Sequence, residues 1–161
     1  MNIREVNIKH LNAFERYFNE CVTSGLDLYH GDYESYLIKR IRYSQGKGLP
    51  EGWPPMSMYL CFESDIIVGS IRVRHGTNDY IRGEIGHIGY ETSPKARGQG
   101  VATTMLQWVI DNVIEDKVIV TCAEDNIGSR KVIEKCGGDY LDRLYSEEKV
   151  GYLLRYQLTP K

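Results

Sequence analysis

Apolar residues recur along this chain with two different periods, which divide it into helices and strands. Spacings of three and four residues predict helices over 8–23, 31–44, 101–114 and 127–136. Alternating or short continuous apolar runs predict strands over 2–7, 56–63, 67–74, 84–92, 117–122, 140–144 and 152–158. The first strand and the number of strands in the middle run stay open. The order predicts an α+β, or mixed α/β, domain with helices packed on a mostly antiparallel sheet.

Polar residues and glycines mark the limits of these elements. Asp32 is a candidate N-cap for the helix over 31–44, and Gly137-Gly138 is predicted to end the helix over 127–136. Residues 45–55 contain three glycines and three prolines, which predicts a loop, and a loop of that length is often functional. Gly86 and Gly89 interrupt strand 84–92, which indicates a bulge or the close approach of a ligand or another backbone.

Length and composition exclude several classes of protein. The chain has 161 residues and a net charge of −2, so we expect one domain, 1–161, and no nucleic-acid partner. The cysteines are far apart and show no zinc spacing, so we expect reduced core thiols and no metal. No run approaches the ~18 apolar residues of a membrane span, and the N-terminus has no signal-like apolar run. We therefore expect a cytoplasmic protein without a membrane partner.

The most informative stretch runs from Tyr90 to Ala102. A strand ends, Pro94 turns the chain, and Gly98 and Gly100 open a long amphipathic helix. The first N–H groups of a helix have no partner within it, and together with the helix dipole they attract anions. Arg97 adds a fixed positive charge with two parallel donors. This combination predicts a pyrophosphate site.

Other interpretations of the two glycines remain. No P-loop sequence is present, and a dinucleotide fingerprint is only half matched because Thr103 occupies the place of its third glycine. A tight turn whose glycines serve packing alone is, on the glycines by themselves, as good an explanation as ligand binding.

The motif resembles a known family. The pattern R-x-x-G-x-A, at Arg97, Gly100 and Ala102, resembles the pyrophosphate loop of the GNAT N-acetyltransferase superfamily. Further along, Asn126 and Ser129 are similar to the start of that family's N-x-x-S helix. The resemblance covers about residues 56–158, and its details look like a bacterial branch of predicted acetyltransferases that has no assigned substrate.

The resemblance implies a GNAT-like fold in which two parallel strands, here 84–92 and 117–122, splay apart and hold acetyl-CoA. The pantetheine arm is expected to bond to the backbone of the first strand, and the diphosphate to the amides that open the helix. Arg130 would meet phosphates, although a solvated helix face explains it equally well. The implied cofactor-binding residues are Tyr90, Thr92, Arg97, Gly98, Gln99, Gly100, Val101, Ala102, Asn126, Ser129 and Arg130.

The implied reaction is the direct attack of an acceptor amine on the thioester in a ternary complex. An ammonium with a pKa near ~10 must first lose a proton to a general base or to a water that the base orders. The candidates are Glu84, His87 and Glu91, and His87 could instead be hydrogen-bonded within the sheet. Many relatives place a proton-donating tyrosine where this chain has Ile133, so either Tyr140 or Tyr145 takes that role or the thiolate leaves without a dedicated acid.

The acceptor is expected between residues 24–55 and the hairpin 63–84. Its aromatic candidates are Tyr29, Tyr33, Tyr36, Tyr43 and Trp53, of which Tyr33 and Tyr36 fit core positions and Trp53 fits a pocket best. The acceptor would be a small amine, or else a peptide or protein N-terminus, and the protein could form a homodimer. Two rivals remain: a non-catalytic acyl-CoA-binding or regulatory module, and a dinucleotide-binding oxidoreductase fragment.

Overall fold

The computed structural model describes residues 1–26 and 28–161. Its strands are β1 (Asn2–Glu5), β2 (Met56–Glu63), β3 (Ile66–Arg74), β4 (Ile88–Thr92), β5 (Val118–Ala123), β6 (Asp139–Ser146) and β7 (Gly151–Leu158). Its α-helices are α1 (Leu11–Thr23), α2 (Tyr33–Ser44), α3 (Val101–Asn112) and α4 (Ile127–Lys135). This is the mixed α+β fold that the sequence predicts, and the first strand is present. None of the described helices combines the length and the apolar character needed to cross a bilayer.

The strands form two separate sheets with the orders β1-β2-β3-β4 and β5-β7-β6. Every ladder in the two sheets is antiparallel. The division falls between β4 and β5, which are the two strands joined by α3. The chain therefore places a gap in the sheet beside the start of its central helix.

The prediction of a strand over 84–92 was wrong for its first four residues. Ile81–Ile85 form a π-helical turn instead, and β4 begins only at Ile88. Gly86 follows that turn with a φ of 71°, where an L side chain would be strained. A Cβ on Gly86 would also lie 2.9 Å from the Ile119 carbonyl oxygen. The glycine is therefore needed for the close approach of this turn to β5.

Smaller differences arise at element ends. The first strand stops at Glu5 because Asn7 caps a short 3-10 turn, Ile8–His10, that precedes α1. The Asp32 carboxylate accepts from the Ser35 N–H at 2.8 Å, so the predicted N-cap of α2 is confirmed.

Two apolar clusters cover the opposite faces of the first sheet. One lies under α3 and α4 and includes Ile71, Met105 and Ile133. The other lies under α1 and α2 and includes Phe14, which is fully buried. Truncating a buried phenylalanine to alanine costs ~3–5 kcal/mol. The two clusters therefore hold α1 and α2 on one face of the first sheet and α3 and α4 on the other.

Candidate functional site

The gap between β4 and β5 closes at one point, which we call the junction. There the His87 N–H donates to the Ile119 carbonyl at 2.7 Å, and the Ile119 N–H donates to His87 Nδ1 at 2.9 Å. Beyond the junction, β4 and β5 share no ladder in the described part of the chain. The two strands therefore separate into a cleft.

The register of β4 directs backbone groups into that cleft. The Ser93 N–H donates to the Val68 carbonyl of β3 at 2.8 Å, and Tyr90 and Thr92 pair with Ile71 and Gly69. Because N–H and C=O groups alternate in direction along a strand, those of Tyr90 and Thr92 point away from β3. The structure thus leaves an unpaired strand edge at the residues expected to bind pantetheine.

A glycine loop, residues 97–100, lies between β4 and α3. Gly98 and Gly100 have φ values of 76° and 79°, which favour glycine, and a Cβ on either would meet nothing within 4 Å. The loop is exposed, including Arg97 and Gln99. The space in front of the loop is therefore open to a ligand.

No side chain among the residues that the structure describes caps the start of α3. Gly100 occupies the N-cap, and its carbonyl accepts from the Thr104 N–H at 3.0 Å. The amides of Val101 and Ala102 precede that first bond and have no partner within the helix. Uncapped amides, the helix dipole and Arg97 suit a diphosphate, so the residues present fit coenzyme A.

Residues of α4 approach the cleft from the other side. The Tyr90 and Ser129 hydroxyls lie 2.8 Å apart, and the Asn126 Oδ1 accepts from the Ser129 N–H at 3.1 Å. Burial raises the pKa of Tyr90 to about 12, so its hydroxyl stays protonated near neutral pH. Arg130 is exposed and pairs with Glu134 at 3.0 Å.

His87 is placed to join the two sheets. Its Nδ1 accepts from the Ile119 N–H, so in the neutral ring the proton is on Nε2 and no nitrogen is left to act as a base. Burial lowers the pKa of His87, which favours this neutral ring. The geometry favours a structural role over that of a general base.

Glu84 lies beside the junction. Its carboxylate accepts a short hydrogen bond from the Ser146 hydroxyl, and its carbonyl accepts from Thr121 Oγ1 at 3.1 Å. Thr121 alternates with the buried residues Val120 and Cys122 of β5, so Glu84 lies on the face opposite α3 and α4. It is partly exposed and can accept a proton there.

Glu91, the third base candidate, is bound to an arginine. Both of its carboxylate oxygens lie 2.7 Å from Arg72 Nη1, and both side chains are largely buried. A Cβ on Gly89 would lie 2.8 Å from Arg72 Nη2, so that glycine makes room for the pair. This pairing leaves Glu91 poorly placed to take a proton.

The proton-donor candidates lie elsewhere. Ile133 is fully buried in the core. Tyr145 is 55% exposed and packs edge-on against Tyr152, and Tyr140 is 51% exposed beside Tyr156. Tyr145 also precedes Ser146 on a strand, so its side chain points away from the face on which Ser146 contacts Glu84. The arrangement gives no support to Tyr145 as the proton donor.

The aromatic acceptor candidates divide into two groups. Tyr29 and Tyr36 are 2% and 6% exposed and belong to the core under α1 and α2. Tyr33 is partly buried and packs against that core. Tyr43 and Trp53 instead line a small cavity.

The sequence did not single out two arginines of the same cavity, Arg40 and Arg74. Arg72 and Arg74 are two residues apart on a strand whose other residues are uncharged, and that spacing was the available signal. Ser146, which contacts Glu84, was also missed and carried no sequence signal.

The chain was compared with models of protein families and with curated proteins. The family model described as "Acetyltransferase (GNAT) family" matches residues 23–138. No curated protein matches the chain significantly.

Solved structures share the fold. RimL, a ribosomal alpha-N-protein acetyltransferase in complex with coenzyme A, has 15% identity and a TM-score of 0.74, over 98% of this chain and 93% of that one. MccE, a microcin C7 self-immunity acetyltransferase in complex with acetyl-CoA and AMP, has 15% identity and a TM-score of 0.73, over 98% and 92%. A SpeG spermidine N-acetyltransferase chimera from Vibrio cholerae has 13% identity and a TM-score of 0.70, over 98% and 94%. At these identities, the acceptors of the three enzymes cannot be assigned to this chain.

Proposed function

This chain belongs to the GNAT acetyltransferase family, and on that premise we propose that it transfers an acetyl group from acetyl-CoA to a primary amine by direct attack. The observation that carries the proposal is the uncapped start of α3, which opens beside the cleft between β4 and β5. An anion site at that place is what a pyrophosphate-containing cosubstrate requires.

Three groups of residues would hold coenzyme A. The amides of 98–102, with Arg97, would bind the diphosphate. The backbone edge at Tyr90 and Thr92 would pair with the pantetheine amides, and Asn126 and Ser129 would contact the arm from α4. Acetyl-CoA supplies an acetyl group activated as a thioester.

Glu84 is the base that the geometry favours. The acceptor ammonium gives one proton to the Glu84 carboxylate, directly or through a water, and becomes nucleophilic. The nitrogen lone pair forms the new C–N bond at the acetyl carbon, the C–S electron pair leaves on sulfur, and the nitrogen gives its second proton to water to become the neutral amide. Ser146 holds the Glu84 carboxylate in place through its hydroxyl.

The leaving sulfur needs no dedicated acid. A thiol has a pKa near ~8.5, so a thiolate is stable enough to depart near neutral pH and take a proton from water. This chemistry accommodates Ile133, which occupies the tyrosine's place and is fully buried.

The test measures cosubstrate binding and acetyl transfer separately. Coenzyme A should raise the melting temperature, because a ligand that binds only the native state stabilises it. The double variant Arg97→Ala/Gly100→Val should abolish that shift, and Arg4→Gln, on β1, should keep it. An unchanged shift in the double variant would contradict the proposed site.

Release of free thiol from acetyl-CoA in the presence of an amine panel then tests the transfer. Amine-dependent release, lost in Glu84→Gln, is the expected result. A coenzyme A shift without release for any amine would favour the alternative, a non-catalytic acyl-CoA-binding module, which the buried Ile133 at the usual tyrosine position supports. The cytoplasmic location and the possible homodimer stay predictions.

A further inference from the structure

A cavity of about 140 Å³ lies between α2, the loop 45–55 and the end of β3. Its walls carry two cationic and two large aromatic side chains: Arg40, Arg74, Tyr43 and Trp53. The proposed acetyl transfer has so far assigned these side chains no role.

The two guanidinium groups have no carboxylate partner in the part of the chain that the structure describes. Arg40 stacks on Tyr36, with 4.8 Å between Cζ and the ring centroid, and its buried Nε has no hydrogen-bond partner in the same part of the chain. Arg74 lies 5.9 Å from the Trp53 ring centroid. Burial, together with the charges of Arg72 and Arg40, lowers the pKa of Arg74 to about 10. The cavity thus has uncompensated positive charge.

Two neighbouring carboxylates are already bound. Glu91 is bonded to Arg72, and Glu148 accepts from the Tyr80 hydroxyl at 2.7 Å. A ligand is therefore the natural source of the missing negative charge. Guanidinium groups bind carboxylate and phosphate oxygens through parallel hydrogen bonds, and apolar walls strengthen such bonds by excluding water.

The cavity adjoins the junction. The Arg74 N–H donates to the His87 carbonyl at 2.8 Å, and Arg74 Nη1 donates to the Gly86 carbonyl at 3.3 Å. Gly86 ends the turn that carries Glu84. A molecule with its anion at Arg40 and Arg74 would therefore place an amine a few bonds away toward Glu84.

We propose that the acceptor is a small primary amine that carries an oxyanion, a carboxylate or a phosphate, which Arg40 and Arg74 bind together. This inference rests on the proposed acetyl transfer. The same charges disfavour polyamines, because a second ammonium would be placed against two guanidinium groups.

The test compares matched acceptors that differ only in the anion. One pair is phenylalanine and phenylalaninamide, and the other is phosphoethanolamine and ethanolamine, with spermidine as a polycation. At least one anionic amine should exceed its neutral partner in kcat/KM by about 10- to 100-fold, the range of a charged hydrogen-bonded contact. The pair that shows the larger ratio distinguishes a carboxylate acceptor from a phosphate acceptor.

Variants assign that preference to the cavity. Arg40→Gln and Arg74→Gln should each remove most of the ratio by raising the acceptor KM, while the coenzyme A shift stays unchanged. Arg4→Gln is the matched control, because Arg4 also stacks on an aromatic ring, Phe62 at 5.5 Å, but lies on β1. Equal rates for anionic and neutral amines, or a ratio that survives both variants, would overturn the inference and leave acetyl transfer standing.

Measuring binding without turnover tests the anion site independently of the proposed acetyl transfer. The anionic amine, added with coenzyme A, should stabilise the wild type further and should not stabilise Arg40→Gln/Arg74→Gln. Such stabilisation without thiol release from acetyl-CoA would uphold the anion site and overturn the acetyl transfer. No stabilisation by any anionic amine would overturn the anion site.

Discussion

The Tyr90 hydroxyl lies 2.8 Å from Ser129 Oγ, so a side chain of β4 reaches the first turn of α4. The two residues belong to elements on opposite sides of the cleft, and Ser129 is itself fixed by the Asn126 side chain at 3.1 Å. This contact links β4 to α4 across the cleft, a few residues beyond the junction. It also places two hydroxyls beside the proposed path of the pantetheine arm.

Removing either hydroxyl tests this link. Tyr90→Phe and Ser129→Ala should each lower the free energy of unfolding by about 0.5–1.5 kcal/mol, the usual net contribution of one hydrogen bond. Because both variants remove the same bond, the double variant should cost less than the sum of the two. Urea unfolding of the four proteins measures the difference, and strict additivity would show that the hydroxyls do not interact.

Glu84 should matter for the chemical step more than for binding. Glu84→Gln keeps the shape and the Ser146 contact but removes the base, so kcat should fall by about 10²- to 10⁴-fold. The rate of the variant should recover toward pH ~10, where the acceptor amine loses its proton unaided. Steady-state kinetics from pH 7 to 10 measure both effects.

Glu147→Gln is the control for that experiment, because Glu147 is exposed in the turn that follows β6. Its kinetics should match those of the wild type. A Glu84→Gln enzyme with normal kcat at pH 7 would remove Glu84 from the mechanism.

The buried pair of Arg72 and Glu91 should be costly to break. Glu91→Gln leaves the Arg72 charge without its partner, which should lower the free energy of unfolding by about 3–5 kcal/mol. Replacing both residues with apolar ones, as in Arg72→Met/Glu91→Leu, should cost less than that. Chemical denaturation measures the free energy of unfolding of each variant. A Glu91→Gln variant as stable as the wild type would show that Arg72 and Glu91 do not form an ion pair in the folded protein.

Sequence patterns predicted some elements of the fold correctly and missed others. Helix α3 begins at the predicted Val101 because its apolar stripe and its glycine start are both local signals. The π-helical turn before Gly86 was missed because its cause is the approach of Ile119, which lies 33 residues further along the chain. A local pattern of apolar residues does not predict a contact between residues so far apart in the sequence.

The same distinction applies to the site. The glycine loop is contiguous in sequence, so the motif alone was enough to single it out as a candidate site. The cavity of Arg40 and Arg74 was not, because α2 and β3 contribute one arginine each. Arg72 and Arg74 lie on the same face of β3 and have the same chemistry. Only the structure shows that Arg72 is paired with Glu91, whereas Arg74 has no carboxylate partner among the described residues.

His87 should make the stability of the protein depend on pH. Burial lowers its pKa below the usual value of 6.5, so the unfolded chain binds a proton more readily than the folded one as the pH falls through 6.5. Stability contributed by neutral His87 is therefore fully present above pH 6.5 and declines as the pH falls from there toward the lower folded pKa. A proton on Nδ1 would also face the Ile119 N–H donor and break the junction.

His87→Asn should reduce that dependence, because its amide oxygen can accept from Ile119 but does not titrate. Melting temperatures measured between pH 5 and pH 8 should fall less on acidification in this variant than in the wild type. His10 also has a pKa lowered by burial, so the difference between the two proteins, rather than either curve, is the quantity that reports on His87. Parallel curves would mean that the His87 ring does not carry a lowered pKa and that the junction tolerates its protonation.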